Sequence, residues 1–170
     1  MRSSILSVFT AAVFMLSGCA GYHLGPVKPS YLKGVNTISV PSFKNMTLIP
    51  RMEVPLADIL IRQFQQDGTY QIASDESADA ILQCNVVSLS RVPTRSLVGN
   101  VLQTTEFTLQ LTIEYKLTDR VTGKQLASRK VTGTTEFFVG GDLEQDEQQA
   151  IPLAGENAAV QIVSAISEGF

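Results

Sequence analysis

The chain has 170 residues, 44% of them hydrophobic, and carries 13 Lys and Arg against 16 Asp and Glu, a formal net charge of −3. This acidic balance disfavours nucleic acid as a partner, because nucleic-acid binding needs a basic surface. The length fits one domain with a hydrophobic core. A single histidine and two cysteines exclude a two-histidine zinc site, and we predict neither a metal nor another cofactor.

Residues 1–18 have the layout of a secretory signal peptide. One basic residue precedes an uncharged apolar run over residues 5–16, which is too short to span a bilayer as a permanent helix. The run ends in Leu16-Ser17-Gly18-Cys19, which resembles the bacterial lipobox, whose cysteine is acylated and becomes the new N-terminus. We therefore predict lipidation of Cys19, a tether over residues 19–33 and a single domain over residues 34–170. The alternative is an ordinary signal peptide that happens to contain a cysteine.

The first half of the domain mixes strand and helix signals. Residues 35–40 are β-branched and apolar, which predicts a buried strand, and residues 41–47 are predicted to form a loop. In residues 51–67 the apolar positions recur at helical spacing, so we expect a helix that ends at Gly68. A short strand over residues 70–74 follows. The predicted buried face of the helix consists of Leu56, Ile59, Leu60 and Phe64.

Long strands dominate the second half. We predict strands over residues 80–92, 105–118 and 125–139, with a connection over 93–103 and a hairpin turn over 119–124. In residues 105–118 the odd-numbered residues are mostly apolar and the even-numbered ones polar, so one face meets a core and the other meets water or a polar partner. The alternation around Cys84 predicts a small buried hydrophobe in a strand.

An acidic segment, residues 142–147, begins the last predicted helix, as suits a helix N-terminus. Pro152 must lie near the start of this helix or kink it. The predicted fold class is α+β: a two-layer sandwich with two amphipathic helices on one face of a four-to-five-stranded, mostly antiparallel (mixed) sheet. The apolar face of the last helix is predicted to contain Ala150, Leu153, Ala154, Ala158, Ile162 and Ile166.

The sequence offers little for catalysis and something for binding. His23 lies four residues after the predicted lipidation site, and no nucleophile elbow or phosphate loop is present, so we predict that the protein is not an enzyme. Arg91 and Arg95 bracket an apolar connection, so we predict that these cations pair with the phosphates of an amphiphile whose acyl chain contacts the loop. Arg129 and Lys130 add charge on the following hairpin strand. The alternative is that these cations are scattered and solvated.

Several segments of the mature chain, taken in order, resemble the LPS-assembly lipoprotein family, LptE. Each motif is largely structural, and the specificity comes from the ordered set together with the lipobox. The segments are Cys19-Ala20-Gly21-Tyr22-His23-Leu24, the strand and turn over residues 38–47, the helix entry over 51–56, residues 77–82 at the start of a long strand, and residues 115–119 with 122–124 in a hairpin.

The resemblance implies a plug-like lipoprotein that sits inside the outer-membrane β-barrel LptD, helps assemble it, and supports insertion of lipopolysaccharide into the outer leaflet. It also implies lipopolysaccharide binding through basic residues, which we carry over to Arg91 and Arg95. Ala20 stands where lipoproteins retained in the inner membrane usually have Asp, which implies outer-membrane delivery. The alternative function is a stand-alone periplasm-facing lipoprotein that acts as a scaffold or secretion-pore subunit.

Overall fold

A computed structural model describes residues 28–97 and 100–169, with the side chains of residues 95–105 outside that description. The predicted signal peptide and residues 19–27 of the predicted tether therefore lie outside the described residues. In chain order the elements are a 3₁₀ turn (Ser30–Leu32), β1 (Thr37–Ser39), β2 (Lys44–Asn45), α1 (Glu53–Asp67), β3 (Gln71–Ile72), β4 (Ala80–Leu97), β5 (Asn100–Asp119), β6 (Gln125–Phe138) and α2 (Leu143–Glu168).

The described strands form one mixed sheet in the order β3-β1-β4-β5-β6, and β2 pairs with β4 further along the edge that β1 occupies. Pairings among β1 to β4 are parallel, while β4–β5 and β5–β6 are antiparallel hairpin partners. Asp119 accepts hydrogen bonds from the backbone N–H groups of Val121 and Thr122, which fixes the β5–β6 turn. The predicted α+β class with two helices on a mixed sheet is confirmed.

Both helices contribute to the core that covers one face of the sheet. The predicted face of α1 is buried, and Gly68 ends this helix with φ of 73° in the left-handed region that glycine adopts without strain. The odd-numbered residues of β5 from Leu109 to Leu117 are buried, while Glu114 and Lys116 between them are exposed. The alternation predicted for β5 therefore identifies the core face correctly.

The predicted strand count was too low, because the sheet formed by the described residues has six strands rather than four or five. The missed strand is β2, which lies in the segment predicted as a loop. Pro41 interrupts the chain after β1, but Lys44 and Asn45 return to pair with Asn85 and Val86 of β4. Two residues are too few to produce a period in the sequence, and pairing with β4 makes them a strand.

The predicted connection over residues 93–103 was also wrong in part. β4 continues to Leu97 and β5 begins at Asn100, so the two strands run on into a longer hairpin. β2 pairs with β4 only as far as Val86, and in the described residues no strand follows it along that edge. A proline on an unpaired edge interrupts no ladder on that side, so Pro93 is compatible with a strand.

α2 follows its predicted pattern except at Leu153. Asp142 caps the helix, accepting hydrogen bonds from the N–H groups of Glu144 and Gln145 at 3.0 and 3.3 Å. Pro152 lies inside the helix. Leu153, predicted on the buried face, is 52% exposed, because its neighbours Ala150 and Ala154 form the face that packs on the sheet.

The outer edge of β6 is partly covered by side chains of α2. Asn157 Oδ1 accepts a hydrogen bond from Thr134 N at 3.2 Å, and Gln161 Nε2 donates one to Thr132 O at 3.0 Å. Gly133 lies between these two positions, and the absence of a side chain there lets α2 approach the strand closely. Side chains of α2 are therefore hydrogen-bonded to the backbone of β6, in addition to the apolar contacts between helix and strand in the core.

Candidate functional site

The structure describes some of the predicted site residues completely and others in part or not at all. Cys19 lies outside the described residues. Arg95 belongs to β4 and pairs in register with Glu106 of β5, and its side chain lies outside the description. Arg91 is described in full, and its side chain is 45% exposed.

Arg129 lies far from Arg91 along the sheet. It pairs in register with Tyr115, six residues along β5 from the partner of Arg91, or about 20 Å away at strand spacing. Arg129 and Lys130 therefore do not converge with Arg91.

A β-bulge decides which way Arg91 points. Up to Val86 the even-numbered residues of β4 face the core, but Val86 pairs with Ile113 and Ser88 pairs with Thr112, which leaves Val87 as an extra residue. The extra residue inverts the alternation, so the odd-numbered residues beyond it face the helices. Arg91 accordingly lies opposite the buried Leu109, on the side of the sheet that carries α2.

Arg91 forms an ion pair with Glu147 of α2. The carboxylate is the more buried partner, with 10% of its side chain exposed. Removal of one partner from a pair that is this buried on one side leaves an unbalanced charge, which costs more than a surface ion pair contributes. The pair thus connects β4 to α2, and it means that the guanidinium predicted to bind phosphate already has a carboxylate partner.

The pair lies beside a groove of about 590 Å³, which we term the distal groove. One wall is the loop over residues 48–50, the opposite wall is the first half of α2, and Arg91 contributes to the lining between them. Leu143 and Ile151 provide apolar surface on the helix wall. The charged lining consists of Arg91 together with three acidic residues, Asp142, Glu144 and Glu147.

The loop wall of the distal groove is held by its own hydrogen bonds. Asn45 Nδ2 donates to Ile49 O at 2.7 Å and to Glu53 Oε1 at 3.1 Å, while Asn45 Oδ1 accepts from Thr47 N and Thr47 Oγ1. Hydrogen bonds from backbone N–H groups, chiefly its own, and from the Asn45 side chain lower the pKa of Glu53. The result is a fixed loop that holds Leu48 out in solvent, fully exposed.

The opposite end of the sheet carries the attachment of the N-terminal segment. Lys28 Nζ donates to Val35 O at 2.7 Å and lies 4.9 Å from the ring centroid of Tyr70. Leu32 is completely buried in the core. Burial is the main cause that raises the pKa of Tyr70 to about 12, and its hydroxyl donates to Ile166 O at 3.4 Å. Residues 28–32 are therefore packed against the end of the domain that lies furthest from the distal groove.

Asp79 joins two strands at this same end. Its Oδ2 accepts hydrogen bonds from Asn36 N and Thr37 N at 2.9 and 3.0 Å, and these bonds hold the pKa of the carboxyl below its usual range. Arg120 Nε donates to Ala78 O at 2.6 Å from the β5–β6 turn. These contacts are structural, since they satisfy backbone groups at strand ends.

The described residues contain one buried thiol and no cluster of metal ligands. Cys84 is buried in β4 as predicted, and burial raises the pKa of its thiol, which keeps it protonated and unreactive. Within residues 28–97 and 100–169, no three His, Cys, Asp or Glu side chains are placed to hold a metal ion. Neither helix in this part of the chain is long and apolar enough to cross a bilayer.

The face of the sheet opposite the helices is polar. Thr108, Gln110 and Thr112 of β5 are partly exposed and Glu114 is exposed, as the alternation predicted. Thr112 Oγ1 lies 3.3 Å from Thr132 Oγ1 of β6, so hydroxyl contacts continue across the strands. The sheet thus presents water, or a polar partner, with a surface of hydroxyl, amide and charged groups.

Sequence reasoning did not identify Glu147 as the partner of Arg91. The two residues are 56 positions apart, and Glu147 lies in an acidic segment that indicates a helix start and nothing more. A pairing of this kind depends on the bulge at Val87, for which the sequence contains no signal.

Comparison with known proteins gives one family match. The model of the family described as LptE, lipopolysaccharide-assembly, matches residues 35–166. No curated protein matches the chain in sequence.

Solved structures share the fold at low sequence identity. The PelC dodecamer from Paraburkholderia phytofirmans is 17% identical with a TM-score of 0.52, over 83% of this chain and 95% of that chain. A minor lipoprotein from Acinetobacter baumannii is 19% identical with a TM-score of 0.51, over 80% and 95%. Uncharacterized lipoprotein B from Nitrosomonas europaea is 14% identical with a TM-score of 0.55, over 88% and 92%. These similarities concern the fold alone.

Proposed function

The chain belongs to the LptE family of lipopolysaccharide-assembly proteins, and from that membership we propose that it is an outer-membrane lipoprotein which plugs the LptD β-barrel. In this proposal it helps the barrel assemble and supports insertion of lipopolysaccharide into the outer leaflet, without catalysing a reaction. The observation that carries the proposal is the family match, which covers residues 35–166 and therefore most of the domain.

The polar face of the sheet supports a place inside a barrel. The lumen of a large outer-membrane barrel is wet and lined by polar side chains. Thr108, Gln110, Thr112 and Glu114 offer hydrogen-bonding groups on a face that the helices leave uncovered. A face of this composition can replace its hydrogen bonds with water by hydrogen bonds with the polar groups of a lumen.

Attachment to the membrane is proposed through lipid on Cys19. Several acyl chains on one residue anchor a protein stably, whereas one chain binds only marginally. Ala20 is the basis for outer-membrane delivery, and the barrel lumen or the periplasmic side is the proposed location of the domain.

Contact with lipopolysaccharide is proposed at Arg91 and Arg95. Both residues lie in the part of β4 that extends beyond β2, toward the end of the β4–β5 hairpin. Arg91 borders the distal groove, where apolar walls lie within reach of a cation, the combination that a phosphorylated amphiphile requires. Binding at Arg91 requires its release from Glu147.

Depletion of the protein tests the proposed function directly. We expect newly made lipopolysaccharide to stop reaching the cell surface. Its arrival is measured by whether an antibody or a lipid-modifying enzyme added outside the cells can reach it. Purification of the lipoprotein in mild detergent should yield a barrel protein of LptD size in equal amount. Normal surface lipopolysaccharide after depletion would contradict the assembly role.

Similarity to the PelC dodecamer favours a second candidate, a stand-alone lipoprotein that forms a ring as a scaffold or secretion-pore subunit. The same purification separates the two. A homo-oligomeric ring without a barrel protein would contradict the plug, and a one-to-one complex with the barrel would contradict the ring.

A further inference from the structure

We infer that the distal groove is a docking site for a basic, apolar segment of the barrel protein, in which a Lys or Arg side chain lies beside aliphatic ones. The inference rests on the proposed function, because it takes the barrel as the partner and adds which surface of the lipoprotein meets which chemistry. It concerns the walls formed by α2 and by the loop over residues 48–50, and it does not depend on the lipid contact proposed at Arg91.

The groove keeps a negative charge after its internal ion pair is taken into account. Arg91 and Glu147 neutralise each other, and the carboxylates of Asp142 and Glu144 remain in the lining. Asp142 accepts two hydrogen bonds at the start of α2, where the positive end of the helix dipole offsets part of its charge. Glu144 is exposed, and its carboxylate has no partner among the described residues. Glu144 is therefore the group that is left to pair with a cation.

The helix wall adds a backbone acceptor. Pro152 lies inside α2 and has no N–H, so the carbonyl of Gln148 lacks the donor that residue 152 of a regular helix provides. Gln148 lines the distal groove. Lys and Arg side chains carry several N–H donors and no acceptor, so they suit a wall that offers a carboxylate and a backbone carbonyl.

Apolar surface lies on both sides of these acceptors. Leu48 is fully exposed, and the hydrogen bonds of Asn45 hold its loop in place. Leu143 and Ile151 lie on the opposite wall. A loop that is already fixed loses little conformational freedom when a partner covers it, so the groove is prepared for contact with aliphatic side chains.

This combination favours a protein segment over a lipid or a simple cation. A phospholipid headgroup carries a phosphate, which the carboxylates of the groove repel. An inorganic cation leaves the apolar walls uncovered. A protein segment brings a cation without an attached anion, and its neighbouring side chains cover Leu48, Leu143 and Ile151.

The position of the groove also favours a protein partner. Arg91 lies eleven residues along β4 from Ala80, or about 35 Å away at strand spacing. Ala80 pairs with Ile38, close to the point where Lys28 is attached. The groove is thus remote from the end at which the chain enters from the proposed lipid anchor.

Photo-crosslinking in the purified barrel complex tests the inference. The full-length lipoprotein carries benzoylphenylalanine, a photoreactive residue, in place of Leu48, and the complex is isolated in mild detergent before irradiation. We expect the label to attach to the barrel, at a segment in which mass spectrometry finds a Lys or Arg flanked by apolar residues. The same replacement at Val121, which is 80% exposed at the opposite end of the domain, is the matched control and should not label that segment.

Charge variants test the role of the acidic wall. In Glu144→Lys we expect labelling from position 48 to fall by about fivefold or more, because like charges then face each other, while Glu144→Asp should retain most of it. Replacing the mapped Lys or Arg of the barrel with Glu should restore labelling in Glu144→Lys. Glu156→Lys reverses an exposed charge of α2 outside the distal groove and should leave labelling unchanged. Circular dichroism establishes that each variant is folded.

The remaining outcomes separate this inference from the proposed function. Within an intact complex, labelling of lipid, of a second copy of the lipoprotein, of a barrel segment without a cation, or of nothing would overturn the docking site. Unchanged labelling in folded Glu144→Lys would overturn the role of the charge and the inference with it. Failure to isolate any complex with the barrel would instead contradict the plug itself.

Discussion

Gly133 is the point of closest approach between β6 and α2, and Gly133→Ala perturbs that contact directly. A Cβ at this position would lie 2.0 Å from Ala154 O, 2.7 Å from Ala158 N and 2.8 Å from Ala158 Cβ. Normal contacts with carbon are longer by roughly 1 Å or more, and two of the three atoms are backbone. No rotamer change relieves the overlap, so the helix or the strand must move.

The size of the effect follows from what moves. Overpacking of a well-packed core typically costs about 1–3 kcal/mol, and rigid backbone neighbours place this case at the upper end. The same shift strains two hydrogen bonds, from Thr134 N to Asn157 and from Gln161 to Thr132 O, each of which contributes about 1 kcal/mol. We expect a loss of about 3–5 kcal/mol in the free energy of unfolding.

Urea unfolding of the full-length lipoprotein in non-ionic detergent, followed by far-ultraviolet circular dichroism, measures this loss. The melting temperature should fall by roughly 10 °C for a domain of this size. Gly34→Ala is the matched control, because a Cβ there meets no atom within 4 Å. It should change the stability by less than about 0.5 kcal/mol. A Gly133→Ala variant within 1 kcal/mol of the unaltered protein would refute the close approach.

Three further predictions concern a helix cap, a titrating carboxyl and a thiol. Asp142→Ala removes the acceptor at the start of α2 and should lower the free energy of unfolding by about 1 kcal/mol in urea titrations, and no loss would contradict the cap. Asp79 has a lowered pKa in the folded protein, so its contribution is complete above the ordinary pKa of the carboxyl and is lost as the pH falls below it; the stability difference between the unaltered protein and Asp79→Asn should therefore be larger near pH 6 than near pH 3. Cys84 should react with a thiol reagent only at the rate of unfolding, and rapid reaction of the native protein would contradict its burial.

Elements with enough repeats of a pattern were predictable from the sequence. β5 repeats its alternation of apolar and polar residues over many positions, so the sequence alone places Leu111 and Ile113 on the core face of the sheet. α1 has a clear apolar face and ends at Gly68, and both of these signals lie within the helical segment or directly after it. Local signals of this type need no knowledge of the neighbouring strands.

Features that depend on a distant partner were not predictable. β2 exists because Asn85 and Val86 of β4 are available for pairing, and the extra residue Val87 becomes a bulge only against β5. Glu106, placed on the polar face by the alternation, is buried near a run of register shifts in β4. In each case a pairing partner outside the segment overrides the periodicity within it.

The candidate site likewise has features that were predictable from the sequence and features that were not. The presence of a cation at Arg91 follows from the sequence, but its orientation depends on the bulge and its partner Glu147 depends on how α2 packs. The loop wall of the distal groove also depends on the hydrogen bonds of the Asn45 amide. This side chain binds Ile49 and Glu53, which lie four and eight residues further along the chain. Residue type was thus predictable, and the direction and pairing of the charge were not.

The covered edge of β6 has a consequence for self-association. Free backbone N–H and C=O groups on an outer strand are a template for strands of other molecules, which leads to aggregation or domain swapping. On β6, Thr134 N and Thr132 O are already occupied by side chains of α2. Among the described strands, open backbone also remains on the short edge strand β3 and on β4 beyond Val86, and on β4 a bulge and Pro93 make a regular ladder difficult to extend. The α2 side chains on β6, and the bulge and Pro93 on β4, therefore hinder the addition of strands from other molecules at these two edges.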